Sequence, residues 1–194
     1  WFHGTADTLQ NIRQADPGQF GDVRSLLGLG LYMTDNPNLS IAYKKVRQQG
    51  EEGRIFQAQL SPDTKLVDME KPVDSRMRAA INDVLDGIFE GFAKKSEYEV
   101  PENATGMEAF KHLQESLIDE GLPMGDASQI FFELADRLRE EGIDGLRHTG
   151  GIRVGGLGKH NEVVLLQNGE TGKADGKIAS SSGWFGLSEP LTRA

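Results

Sequence analysis

The chain has 194 residues, 24 of them glycine, and a formal net charge of −9, which is enough for one domain with a core of its own. The absence of cysteine excludes disulfides, thiolate zinc sites and a cysteine nucleophile, and the composition excludes wholesale disorder. Residues 72–141 hold 16 acidic and 7 basic side chains while the remainder is neutral, a surface that repels phosphate backbones and disfavours broad nucleic-acid binding.

In chain order, Gly30 to Thr34 reads as a strand. Asp35-Asn36-Pro37 supplies an N-cap and a proline at the first helical position, so a helix is expected from there to about Gln48. Arg54 to Leu60 alternates, with Phe56, Ala58 and Leu60 on one side and Ile55, Gln57 and Gln59 on the other, as a strand does. Thr64 to Asp68 reads as a further strand. Beyond Pro72 the period becomes helical: Met77, Ala80, Ile81, Val84, Leu85, Ile88, Phe89 and Phe92 form one apolar stripe of about four turns. Met107, Phe110, Leu113 and Leu117 mark a second helix. Ile130, Phe131, Leu134 and Leu138 mark a third, stopped by Gly142.

Ile143 to His148 and Asn161 to Gln167 read as strands, joined by a glycine-rich link from Gly150 to Gly158. Residues 168–194 read as a flexible tail without clear periodicity, with Trp184, Phe185 and Leu187 able to dock back on the body. The whole is an α+β chain of one domain over 1–194, its acidic helices forming an insertion at about 72–141. No apolar run approaches the roughly 18 to 20 residues that cross a bilayer, and no basic-then-apolar leader precedes the domain, so no membrane partner is expected. The opening at Trp1 reads as that of an excised domain or processed fragment, which leaves localisation open.

Two glycine-rich stretches invite a phosphate-binding reading and fail it. Lys159 is followed by His160 and a β-like run instead of the Ser or Thr and helix of a P-loop. Gly28-Leu29-Gly30 lacks the third glycine and helix start of a dinucleotide fingerprint. The histidines at 3, 112, 148 and 160 lack the close spacing of a metal pair, and no metal is expected. His112 reads as a partly buried helix residue and His148 as a surface one. Ser40 and Tyr43, three apart on a helix, share a face. With Tyr32 they can offer two aromatic rings and a hydroxyl to a small flat ligand, or serve as ordinary core residues.

Phe2-His3-Gly4-Thr5, Gly30-Leu31-Tyr32-Met33-Thr34-Asp35-Asn36 with Tyr43 eleven residues after Tyr32, and Asn161-Glu162-Val163-Val164 on a late strand resemble the H-Y-E ADP-ribosyltransferases, the group of diphtheria toxin and the poly(ADP-ribose) polymerases. The resemblance covers roughly residues 1–68 and 143–167; domains of this kind also occur in large polyvalent phage and bacterial proteins. It implies a split antiparallel β core with the helices inserted between its halves. The implied activity is transfer of one ADP-ribose from NAD⁺ to a protein acceptor, with NAD⁺ as co-substrate and no metal.

The resemblance also implies roles. Glu162 would bond the nicotinamide-ribose 2′-hydroxyl and stabilise an oxocarbenium-like centre. His3 would hold the adenosine ribose, with Gly4 and Thr5 of the same motif lining the NAD⁺ site and the Gly4 backbone pairing with the carboxamide. Tyr32 and Tyr43 would enclose the pyridinium ring, whose charge is drawn to aromatic faces, and Ser40 would bond the carboxamide. Two residues before Glu162, where arginine-modifying members of the related R-S-E branch carry Gln or Glu, stands His160. Arginine as acceptor is therefore less supported, and His160 becomes an acceptor-side residue together with Arg153 of the glycine-rich link, with His148 a further candidate there, second to its surface reading. The rivals are an NAD⁺ glycohydrolase using the same residues and a catalytically silent module whose acidic helices bind a basic partner.

Overall fold

Alternating apolar residues and a helical block with a continuous apolar stripe build two layers, a sheet and the helices that cover it. The computed structural model describes residues 1–5, 30–40, 54–89, 98–119, 124–150, 159–166 and 178–186. The strands are β1 (Phe2–Thr5), β2 (Leu31–Thr34), β3 (Arg54–Leu60), β4 (Leu66–Asp68), β5 (Gly145–Gly150), β6 (His160–Leu165) and β7 (Ile178–Gly186). Among the described residues the helices α1 (Ser75–Phe89), α2 (Gly106–Asp119) and α3 (Met124–Glu140) fall between β4 and β5, and a helical turn at 37–40 follows β2, so the architecture is mixed α+β.

One seven-stranded sheet runs in the order β4-β5-β6-β2-β1-β3-β7. Every neighbouring pair is antiparallel except β4 and β5, whose parallel pairing requires the long helical crossover. The ladder is thinnest between β2 and β1, where Phe2 and Thr34 are the paired residues.

Each helix forms where its period places it. In α1, Met77, Ala80, Ile81, Val84, Leu85 and Phe89 are buried, and Asp74 caps the start by accepting the Arg76 N–H at 2.9 Å. Thr105 and Glu108 form a reciprocal capping box at the start of α2: the Glu108 N–H donates to Thr105 Oγ1 at 3.2 Å, and the Thr105 N–H to Glu108 Oε2 at 2.7 Å. α3 ends as the sequence predicts, with Gly142 at φ 75°. The Gly142 N–H reaches the Arg139 carbonyl at 2.8 Å and the Ile143 N–H the Leu138 carbonyl at 2.9 Å, the double bond of a Schellman turn.

The helices share one core with the sheet: Ile81, Leu85, Phe110, Leu113, Leu134 and Leu138 pack in a cluster that includes Leu146 and Val164. A smaller cluster of Leu31, Met33, Ala58, Val163 and Leu165 lies on the opposite face of the strands. Among the described residues no helix is long and apolar enough to cross a membrane.

The tail departs from its expected form. Residues 178–186 are β7, paired antiparallel with β3, Trp184 opposite Phe56 and Phe185 opposite Ile55. Backbone pairing with an open sheet edge asks for no alternation of apolar residues, so the Ser- and Gly-rich run gives no strand signal. Position 187 and those after it, and the expected helix beyond Ser40, lie outside the described residues.

Candidate functional site

The site is set by strand register. Thr34 on β2 and His148 on β5 are the residues opposite Glu162 on its two sides. Directly opposed residues point to the same face, so Thr34, Glu162 and His148 form a row across three strands. Tyr32, Val164 and Leu146 form the next row, and these three join the helical core. His160, two residues before Glu162, shares its face and stands opposite Gly150.

Glu162 is consequently enclosed. Its side chain is 13 % exposed, between His148 at 3 % and His160 at 2 %. His160 Nε2 lies within hydrogen-bond distance of Glu162 Oε1, at 3.0 Å. His148 Nε2 approaches Oε2 to 2.9 Å, close enough for an ion pair yet away from the direction of a good hydrogen bond. Burial pushes the Glu162 carboxyl up, but its contacts with the two histidines, hydrogen bonding foremost, outweigh it and hold the group below its ordinary 4.5.

The surroundings fix this geometry. Asp35, just after β2, takes the Asn161 N–H at 2.9 Å on one oxygen and the Asn161 side-chain amide at 2.6 Å on the other, and its own N–H donates to the Asn161 carbonyl at 3.2 Å. This clasp ties the end of β2 to the residue beside Glu162. On the other side the Glu70 carboxylate accepts the Thr149 N–H at 2.8 Å; the Thr149 side chain first and this N–H second hold Glu70 below its ordinary value, and the contact steadies β5 next to His148.

The other predicted residues distribute as follows. His3 Nδ1 lies 2.6 Å from the Tyr32 carbonyl oxygen, so the first two motifs meet through a side chain and a backbone. Phe2 is opposite Thr34, and by alternation His3 belongs to the face of β1 away from Glu162. Gly4 and Thr5 continue β1 opposite Ile55 and Arg54. Tyr32 is partly buried against the helical core. The N-cap expected at Asp35-Asn36 is Asn36, whose Oδ1 accepts the Asn38 N–H at 3.0 Å. Ser40, in the helical turn that follows, is buried, and its hydroxyl has no partner among the described residues. Tyr43 and Arg153 lie outside the described residues.

One expectation changes. His148 is a buried neighbour of Glu162, where the sequence reads as giving it a surface place. The β5–β6 register that brings them together depends on how the chain returns through the link, which local periodicity does not encode. His160, expected on the acceptor side, has its ring against Glu162. His112 keeps its expected place, with Nε2 2.7 Å from the Tyr98 carbonyl oxygen. Among the described residues, no group of three or more His, Asp or Glu is arranged to hold a metal ion. No protein-family model matches the chain, and no curated protein or solved structure matches it.

Proposed function

We propose that this chain cleaves NAD⁺ at the nicotinamide–ribose bond and transfers ADP-ribose to a protein acceptor, on a split β core of the H-Y-E type in which α1–α3 are the insertion. The observation that carries the reading is Glu162, a largely enclosed carboxylate on β6 flanked by His148 and His160, with β2 and then β1, the strands of Tyr32 and His3, as the next strands in the ladder. The thin join between β1 and β2 supports a division of the sheet at that place.

The chemistry asks little acid–base work of the protein. The bond breaks with its electron pair on the nicotinamide nitrogen, so the leaving group departs neutral. The acceptor's nucleophile then bonds to the ribosyl carbon and gives up a proton. Glu162 supplies a fixed negative charge beside the carbon that becomes positive, and an acceptor for a ribose hydroxyl. The Ser40 hydroxyl, buried and unpartnered among the described residues, fits a carboxamide that would satisfy it, and Tyr32 offers a ring to a cationic pyridinium.

One observation favours a second reading, NAD⁺ glycohydrolase. His160 stands at the acceptor-side position, yet its ring is 2 % exposed and turned onto Glu162, leaving water as the simplest acceptor. Mass spectrometry of a lysate incubated with NAD⁺ and the protein, beside Glu162→Gln, separates the two. Modified peptides that vanish in the variant support the transferase. Nicotinamide release without adducts supports the glycohydrolase. Neither signal from a folded wild-type protein would overturn both readings.

A further inference from the structure

Two imidazoles face one largely enclosed carboxylate, and this arrangement belongs to neither motif strand alone. His160 reaches Oε1 from two residues away on β6, and His148 reaches Oε2 from the neighbouring strand. A neutral imidazole carries one N–H. Were it on Nδ1, the Nε2 lone pair would face the carboxylate at 2.9 to 3.0 Å and repel it. Were both rings charged, the cluster would be net positive, and were one charged, it would cancel the carboxylate; either state removes the negative charge that Glu162 has to set beside a cationic centre. A neutral ring with its proton on Nε2 meets both conditions.

The approach of His160 also needs space on β5. A Cβ on Gly150 would collide with His160 Nε2 and come within 2.9 Å of Cε1 and 3.0 Å of Cδ2. Those are ring atoms of a buried side chain, whose displacement would disturb its contact with Glu162. Gly150 is thus the residue across which the ring lies.

We propose that His148 and His160 are positioning residues which, as neutral Nε2–H imidazoles, hold Glu162 in one orientation from opposite oxygens: His160 donates to Oε1, His148 sets its Nε2–H beside Oε2 out of line for a full hydrogen bond, and Gly150 clears the space for His160. A carboxylate offers about four lone-pair sites, so each oxygen keeps one for a ligand hydroxyl. His160, the better directed of the two, contributes more than His148. The inference deepens the ADP-ribose reading: the neutrality of the rings and the activity measurement rest on it, while the placement of the Nε2 protons rests on the distances alone.

The direct test is long-range ¹H–¹⁵N spectroscopy of the ¹⁵N-histidine-labelled protein at pH 8, where four histidines make assignment by substitution short work. The expected result is the Nε2–H tautomer for both His148 and His160, with that preference weakened in Glu162→Gln. An Nδ1–H tautomer or a doubly protonated ring at either position would overturn the proposal, whether or not NAD⁺ is the substrate.

Activity supplies the second arm. His160→Phe is expected to lower kcat for NAD⁺ cleavage on the order of tenfold to a hundredfold, the value of a hydrogen bond to a charged group, with KM little changed. His148→Phe lowers it less, and Gln at either position, which keeps a donor, restores much of the loss. Unchanged kcat in folded Phe variants, beside a dead Glu162→Gln, would overturn the positioning role and leave the NAD⁺ reading standing. A wild-type protein without cleavage would overturn the NAD⁺ reading, while the tautomers of the two histidines would still decide the positioning role.

Discussion

A carboxylate enclosed as Glu162 is keeps its charge only because its partners are in place, and this makes it a pH-dependent element of stability. Its folded value lies below the ordinary 4.5, so the stabilisation is fully present above that value and is lost as pH falls through the lower folded one. Asp68, where burial pushes the carboxyl up but the bond and charge of Arg147 outweigh it, behaves in the same sense. The urea midpoint of the wild-type protein is therefore expected to fall below about pH 4.5, and Glu162→Gln to flatten part of that fall; an equal slope in both proteins would contradict it. Gly150→Ala is expected to displace His160 and destabilise by about 1–3 kcal/mol, the usual effect of overpacking, measured by urea unfolding. At this scale the sequence exposes Glu162 through Asn161-Glu162-Val163-Val164 and hides His148. A motif is a local pattern, whereas the partnership of His148 is a register between strands whose connecting link carries no apolar period.

Elements are more legible than residues where their signals are periodic. The three helices and the halt at Gly142 follow from stripes three and four residues apart and from a glycine able to take φ 75°. Strands β3, β5 and β6 follow from apolar runs of the right length, although β5 and β6 each begin a residue or two from the expected place. β7 is hidden because its Ala-Ser-Ser-Ser-Gly run carries no apolar pattern and is held by edge pairing. The capping box of α2 stands in the sequence as Thr105-Gly106-Met107-Glu108, a pattern that marks a helix start once it is sought. Thr105→Ala removes both the hydroxyl acceptor and the reciprocal arrangement with Glu108, and is expected to cost about 1 kcal/mol. Thermal unfolding followed by circular dichroism would register this as a lowered Tm; no shift would mean that the start of α2 is held by packing alone.

Across the whole molecule, sheet and helices stand or fall together. Leu146 is fully buried on β5 within the helical core, two residues from His148. Leu146→Ala is expected to destabilise the protein by about 2–5 kcal/mol in a single cooperative transition; a biphasic urea curve would show that the helical layer unfolds as a separate unit. The ends of the helical insertion are fastened side by side. The Lys65 N–H donates to Asp144 Oδ2 at 2.8 Å, and the Asp144 N–H to the Lys65 carbonyl at 2.9 Å. Met69 and Arg147 repeat the contact, the Met69 N–H meeting the Arg147 carbonyl at 2.9 Å.

That fastening bears on the order of events as the chain folds. Lys65 and Asp144 are 79 positions apart, so their pairing closes a long loop, whereas each helix is built from near neighbours. Loop closure of this length is slow compared with helix growth. The helices are thus expected early and the β4–β5 junction late. His148 rides on β5, so the cluster around Glu162 is completed only with that last step, and a chain halted midway would carry its helices without an assembled site.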